Sequence, residues 1–422
     1  MLGVLALLIG ALTGRAELAA LGVAPMIMSA AAAERRPAGS LSVQLQPPTS
    51  TAAGSGVRSA VTIVAPLGAH AARVRASGPG TRPTERLVRL VPGEARTLPL
   101  RTASPRTGER WVFQVDVLGL AAQQGAVSDV VTVGPTAALV LPQPRRLGAL
   151  PLPPRLQGLV GPHAARRIGD GTELHDVSLF APGDRLRRID WRASARRGTV
   201  AGELRDLYVR RTQSTADATV VLVIDSRDEV GPDVGTWAGG RDVHPNDATS
   251  LDIAREAAAS LADSYLRQGD RVGLEDLGLR QRPVRPAGGR RHLDRIIRRL
   301  ALAAPERTAP RARVRAPQVP SGALVIILST FLDDEAMAVA LQWRRTGHRV
   351  VAVDVLPTAR GAEVTSRTAM AYRLVALRRD DRLEALRRAG ASVVRWDDDR
   401  PEPVGARAAL ELLSRDRQRA PR

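Results

Sequence analysis

The sequence predicts an α/β protein whose C-terminal half is an open, mostly parallel sheet with helices on both faces. An all-β sandwich and an N-terminal helical hairpin precede it. Three observations carry this. Beyond Ala218, continuous apolar runs alternate with segments of helical period. Between Ser40 and Leu141, short segments alternate apolar and polar residues with turn residues between them. The first thirty-three residues hold two apolar, charge-free runs.

Those two runs, Leu2–Leu12 and Leu18–Ala33, are separated by Thr13-Gly14-Arg15-Ala16-Glu17. Each is shorter than the ~20 residues of a spanning helix. Together they read as a transmembrane hairpin over 1–35, the rival being a cleaved signal peptide ending at Ala31–Glu34. No basic region precedes the first run, which argues against the signal peptide. Arg35 and Arg36 after the second run favour the cytoplasmic side. The expectation is a multi-pass cell-membrane protein with a cytoplasmic body.

Over 40–141, LSVQLQ, VRSAVTIVAP, AARVRASG, ERLVRLVPG, ARTLPLRT, RWVFQVDVLGL and SDVVTVGP each fit a half-buried strand. Seven such segments predict an immunoglobulin-like sandwich. Residues 142–157 are proline-rich and read as a linker. From 212 to 422, strands ATVVLVIDS, DRVGLEDLG, GALVIILST, HRVVAVDVL and ASVVRW alternate with helices over Thr249–Gln268, Arg291–Ala303, Asp333–Arg345 and Arg373–Ala389.

Composition narrows the chemistry. The chain of 422 residues has no cysteine, which excludes disulfides, thiolate metal sites and cysteine nucleophiles. Its formal charge of +19 comes wholly from arginine, since lysine is absent. The arginines are spread along the chain, as expected when arginine serves wherever a cation is tolerated. With aromatics at 3% and no interleaving of rings and cations, nucleic-acid binding is not expected. No histidine stands at a readable spacing from a nucleophile, and Gly169-Asp170-Gly171 lacks the lysine of a phosphate loop. The protein is expected not to be an enzyme.

In a sheet of this class, ligands bind at the carboxyl ends of the strands. The first strand ends at Asp225-Ser226-Arg227-Asp228-Glu229, and GALVIILST is followed by Asp333 and Asp334. This layout resembles the von Willebrand factor A domain, a Rossmann-like fold whose Asp-x-Ser-x-Ser loop binds Mg²⁺. Asp225, Asp228 and Asp333 are therefore the candidate metal residues. Arg227 and Glu229 stand at the two serine positions, and Thr330 where a second strand-end Asp belongs. That places a cation where Mg²⁺ would sit. The alternative is that Asp225 caps the turn and pairs with Arg227, with no cofactor.

The most specific stretch is 158–211, with its core Pro182-Gly183-Asp184-Arg185-Leu186-Arg187-Arg188-Ile189-Asp190-Trp191-Arg192 followed by Ala193-Ser194-Ala195-Arg196-Arg197. Ile189-Asp190-Trp191 reads as a strand entering a core, with Asp190 flanked by Arg188 and Arg192 for pairing. Between Asp184 and Arg211 there are nine arginines against four acids. The segment can be a brace against the α/β sheet or a docking surface formed by Arg187, Arg188, Asp190, Trp191, Arg192 and Arg196.

This signature resembles the domain-of-unknown-function 58 family, whose pattern runs G-x-G-x-E-F, R-x-Y-x-P-G-D, I-D-W and S-A-R before an A-type domain. Asp116-Val117-Leu118-Gly119-Leu120 is similar to a further motif of that family. Leu174, Ser178 and Phe180 depart from its usual Phe, Arg and Tyr. The resemblance implies two N-terminal membrane helices and an association with a MoxR-type AAA+ ATPase. It implies a non-enzymatic, membrane-anchored adaptor. A Mg²⁺-dependent adhesion or ligand-binding module at the cell envelope is the alternative.

Overall fold

A computed structural model describes residues 2–32, 37, 39–49, 51–78, 80–103, 106–122, 126–156, 161–200, 203–237, 242–278, 282–305, 316–360, 366–396 and 404–419. The chain divides into two compact units, Met1–Leu141 and Pro142–Arg422.

The first unit opens with helices α1 (Leu2–Leu12) and α2 (Ala16–Ala32), packed as a hairpin. The contact is tight because glycines line it: a Cβ on Gly22 would lie 2.4 Å from the Gly3 carbonyl oxygen. The hairpin expected from the two apolar runs forms as a pair of short helices. At 1.5 Å per residue the helices reach about 16 and 25 Å, against a hydrocarbon core of ~30 Å. Among the described residues, no helix is long and apolar enough to cross a membrane. Arg35, Arg36 and the end of the alternative cleavage site at Ala31–Glu34 lie outside the described residues.

Among the described residues ten strands follow: β1 (Ser42–Leu45), β2 (Thr51–Ala52), β3 (Val57–Val64), β4 (Ala71–Ser77), β5 (Thr84–Arg89), β6 (Ala95–Thr102), β7 (Gly108–Val112), β8 (Gln114–Leu120), β9 (Val127–Val133) and β10 (Thr136–Leu141). They make sheets β1-β3-β6, β5-β4-β8-β9 and β2-β10-β7. The first two share a core of Val61, Ile63, Val74, Val115 and Val117, the inward positions of alternating strands. The segment RWVFQVDVLGL is two strands rather than one. Phe113, at φ 48°, breaks it between β7 and β8.

In the second unit the proline-rich stretch is not a free linker. Leu150 is buried in the main core, Tyr265 donates from its hydroxyl to the Pro151 carbonyl at 2.6 Å, and Arg145 pairs with Glu256 at 2.8 Å. Next comes a two-stranded arm of β11 (His163–Leu179) against β14 (Tyr208–Ala216). Between them lie α3 (Trp191–Arg197), β12 (Thr199–Val200) and β13 (Glu203–Leu204).

The central sheet has the order β17-β16-β15-β18-β19-β20, with β15 (Thr219–Ile224), β16 (Arg271–Asp276), β18 (Leu324–Ser329), β19 (Arg349–Asp354) and β20 (Ser392–Arg395) parallel. The edge strand β17 (Val284–Ala287) is antiparallel. Every residue of β15 and β18 is buried, as continuous apolar runs require. Val220, Leu222 and Ile224 face one core with α4 (Ser250–Arg267), α5 (Arg290–Leu302) and α8 (Val404–Arg419). Val221 and Val223 face the other, with α6 (Asp334–Arg345) and α7 (Ser366–Arg388). The unit is thus a three-layer α/β structure.

Candidate functional site

Beyond the carboxyl end of β15 the chain crosses to β16 on one side, and beyond that of β18 to β19 on the other, which makes the gap between β15 and β18 a switch point. Asp225 follows β15 and Ser329 ends β18. The Ser329 hydroxyl donates to Asp225 Oδ2 at 2.7 Å across this point. Phe331, wholly buried at φ 54°, turns the chain sharply away from β18. A bulky residue in that region stores backbone strain.

Into this edge comes Arg227, whose side chain is 6% exposed. Its Nε and Nη2 donate to the two oxygens of Asp225, each at 2.8 Å. Nη1 and Nη2 donate to Asp333 at 2.7 and 3.0 Å, and Nη1 also reaches Glu335 at 2.9 Å. Burial works against the guanidinium charge, but the hydrogen bonds and attraction of Asp225 and Asp333 outweigh it and raise the Arg227 pKa. Asp228 accepts from the Thr330 hydroxyl at 3.2 Å. Burial, with the negative charges of Asp225 and Asp333, pushes its pKa up to about 7. Asp276 accepts from the Ser226 hydroxyl at 2.6 Å and is likewise raised by burial.

The three candidate metal residues therefore do converge, yet they do not fit Mg²⁺. A divalent ion needs open oxygens in octahedral order, and here the guanidinium occupies the space between Asp225 and Asp333. Among the described residues, no group of three or more His, Cys, Asp or Glu is placed to hold a metal ion. Sequence reasoning missed Glu335, which lies 108 residues from Arg227 and is brought in by the first turn of α6. It also missed Arg379, which donates to the Thr330 carbonyl at 2.8 Å and pairs with Asp354, bracing the same edge from α7.

The arginine-rich signature is built differently. Asp190 is not in a strand and does not serve as a pairing partner for Arg188 and Arg192. It is the N-cap of α3, accepting from the Ala193 amide at 2.9 Å. Aspartate before a run of helix formers starts a helix, so Trp191 becomes its first residue and stands 65% exposed. Ser194 is buried and accepts from the Tyr208 amide at 2.8 Å, tying α3 to β14. Asp184 bonds the Ala181 amide and pairs with Arg211, both at 2.9 Å, and the Arg211 guanidinium holds its carboxyl below the usual range. Arg188 donates to the Gly169 carbonyl at 3.0 Å. Gly169 itself must be small, since a Cβ there would lie 2.3 Å from Ser214.

Of the six candidate docking residues, Arg187, Trp191, Arg192 and Arg196 are exposed, together with Leu186 at 70%. Arg188 and Asp190 belong to the framework beneath them. His163, at the root of the arm, sits 2.8 Å from the buried Asp270, which also accepts from the Ala218 amide.

The signature's order, now set in its geometry, has a counterpart among known families. Residues 176–363 match the family described as Protein of unknown function DUF58. The match supports the resemblance read in the signature. The matched residues include α3, the switch-point edge, Arg227 and Asp333. No curated protein matches the chain.

Proposed function

We propose that the protein is a non-enzymatic adaptor that docks an acidic partner on the surface formed by Leu186, Arg187, Trp191, Arg192 and Arg196. The observation that carries this reading is the exposure of Trp191 on a fixed framework. A capped, tied helix leaves most of this large aromatic side chain in water. Tryptophan and arginine are the residues that most often dominate binding energy at interfaces. Arginines around it would steer an anionic surface into register and speed encounter. The resemblance to the DUF58 family makes a MoxR-type AAA+ ATPase the partner to test.

The test is binding of the full chain to its cognate MoxR-type ATPase by titration calorimetry, beside Trp191→Ala and a triple Arg187→Glu, Arg192→Glu, Arg196→Glu variant. Affinity should fall in both while melting temperature holds. Unchanged affinity in the triple variant would remove this surface from the reading. No binding by the native chain would remove the partner.

A further inference from the structure

We propose that Arg227 is a built-in replacement for a divalent cation, so that the switch-point edge is filled by the protein's own charge and responds to neither magnesium nor manganese. The pairing of donors and acceptors is complete. A guanidinium has five N–H donors and no acceptor. All five are used here on five different oxygens: both of Asp225, both of Asp333 and Oε2 of Glu335. A metal ion entering this space would need those same oxygens. It would have to break five charge-assisted bonds and expel a buried cation.

The local sequence makes the arrangement easy to reach. Arg227 lies two residues after Asp225 and closes back onto it with a forked contact. Its remaining edge faces the start of α6, where Asp333 is the N-cap and Glu335 lies in the first turn. Those two carboxylates also sit at the positive end of the helix dipole, so one cation joins β15 to α6. A bound metal leaves a coordination position for an incoming carboxylate. The saturated guanidinium leaves none, and the rim that remains is anionic, with Asp333 57% exposed.

The experiment uses the full chain in EDTA and in 10 mM Mg²⁺ or Mn²⁺, read by titration calorimetry and thermal melting, with Arg227→Ser as the variant. The native chain should give no binding heat and a Tm shift under about 1 °C. Arg227→Ser should melt on the order of 10 °C lower in EDTA. Mn²⁺ near 100 times its Kd should then restore about 5–10 °C. Native binding of Mn²⁺ that Asp225→Asn abolishes would overturn the proposal. So would an Arg227→Ser chain with native Tm in EDTA, or a destabilised one that takes no Mn²⁺. Should Arg227→Ser fail to fold in every buffer, adding Asp333→Asn decides: recovered folding supports charge replacement, and persistent failure overturns it.

Discussion

The signature surface and the switch-point edge both rest on arginine, and they use it in opposite ways. At the edge, Arg227 is buried and its donors are consumed by three carboxylates. On the signature, Arg187, Arg192 and Arg196 stand in solvent around an exposed Trp191. In a chain that writes every fixed cation as arginine, residue type carries no information about role. The acceptors within reach decide it: an arginine surrounded by carboxylates holds the fold together, and one facing water remains available to a partner.

The largest effect that would break this contrast is at Arg227. Replacing it with Met leaves Asp225, Asp333 and Glu335 gathered without a cation, and denaturant unfolding should show a loss of about 3–5 kcal/mol. A loss below 1 kcal/mol would mean that the edge does not depend on its buried cation.

Next comes pH. The folded pKa of Asp228 lies above its ordinary 3.8, at about 7, so the folded state binds that proton more tightly than the unfolded chain. The contribution of Asp228 is therefore fully present below about pH 4 and lost as pH rises through about 7. Melting curves of the native chain and Asp228→Asn should differ in slope over that window, the variant losing less stability as pH rises. Parallel curves would show that Asp228 titrates normally.

On the signature side the expected changes are in binding. Trp191→Ala should weaken partner binding tenfold to a hundredfold, about 1.4–2.8 kcal/mol, with little change in Tm. A large fall in Tm would instead place Trp191 with the framework. The smallest effect sharpens that boundary. Asp190→Ala removes the α3 cap and should cost about 1 kcal/mol of stability, measured by denaturant midpoint.

Much of the architecture is legible in the chain because burial on two faces demands continuous apolar strands. The predicted helix Thr249–Gln268 exceeds α4 by one residue at each end, and Asp333–Arg345 exceeds α6 by one at its start. Local competition obscured other parts. Ile189-Asp190-Trp191 has the two-residue period of a strand, but the helix-forming Ala-Ser-Ala-Arg-Arg behind it lets Asp190 cap, and the cap wins. The arm was unreadable because β11 meets β14 through register shifts that blur any alternation. At the candidate site, Asp225 and Asp333 were visible as strand-end acids. The role of Arg227 was only half visible: its contact with Asp225 is local, while Asp333 and Glu335 arrive from more than 100 residues away. The N-terminal runs were legible as a helical pair, the expected bounds lying within two residues of α1 and α2.

The arm and the sheet are joined by a short covalent path. Only Asp217 and Ala218 separate β14 from β15, and Asp270 clamps this junction through His163 and the Ala218 amide. Strand β15 is then stitched on both sides, to β16 and to β18, by parallel ladders. Any tug applied at the signature passes along β14 into the middle strand of the sheet, where both ladders must be sheared together before either yields. The protein thus gives its exposed arm a mechanical anchorage in the centre of the sheet, and tension on the arm would be borne by the whole α/β unit.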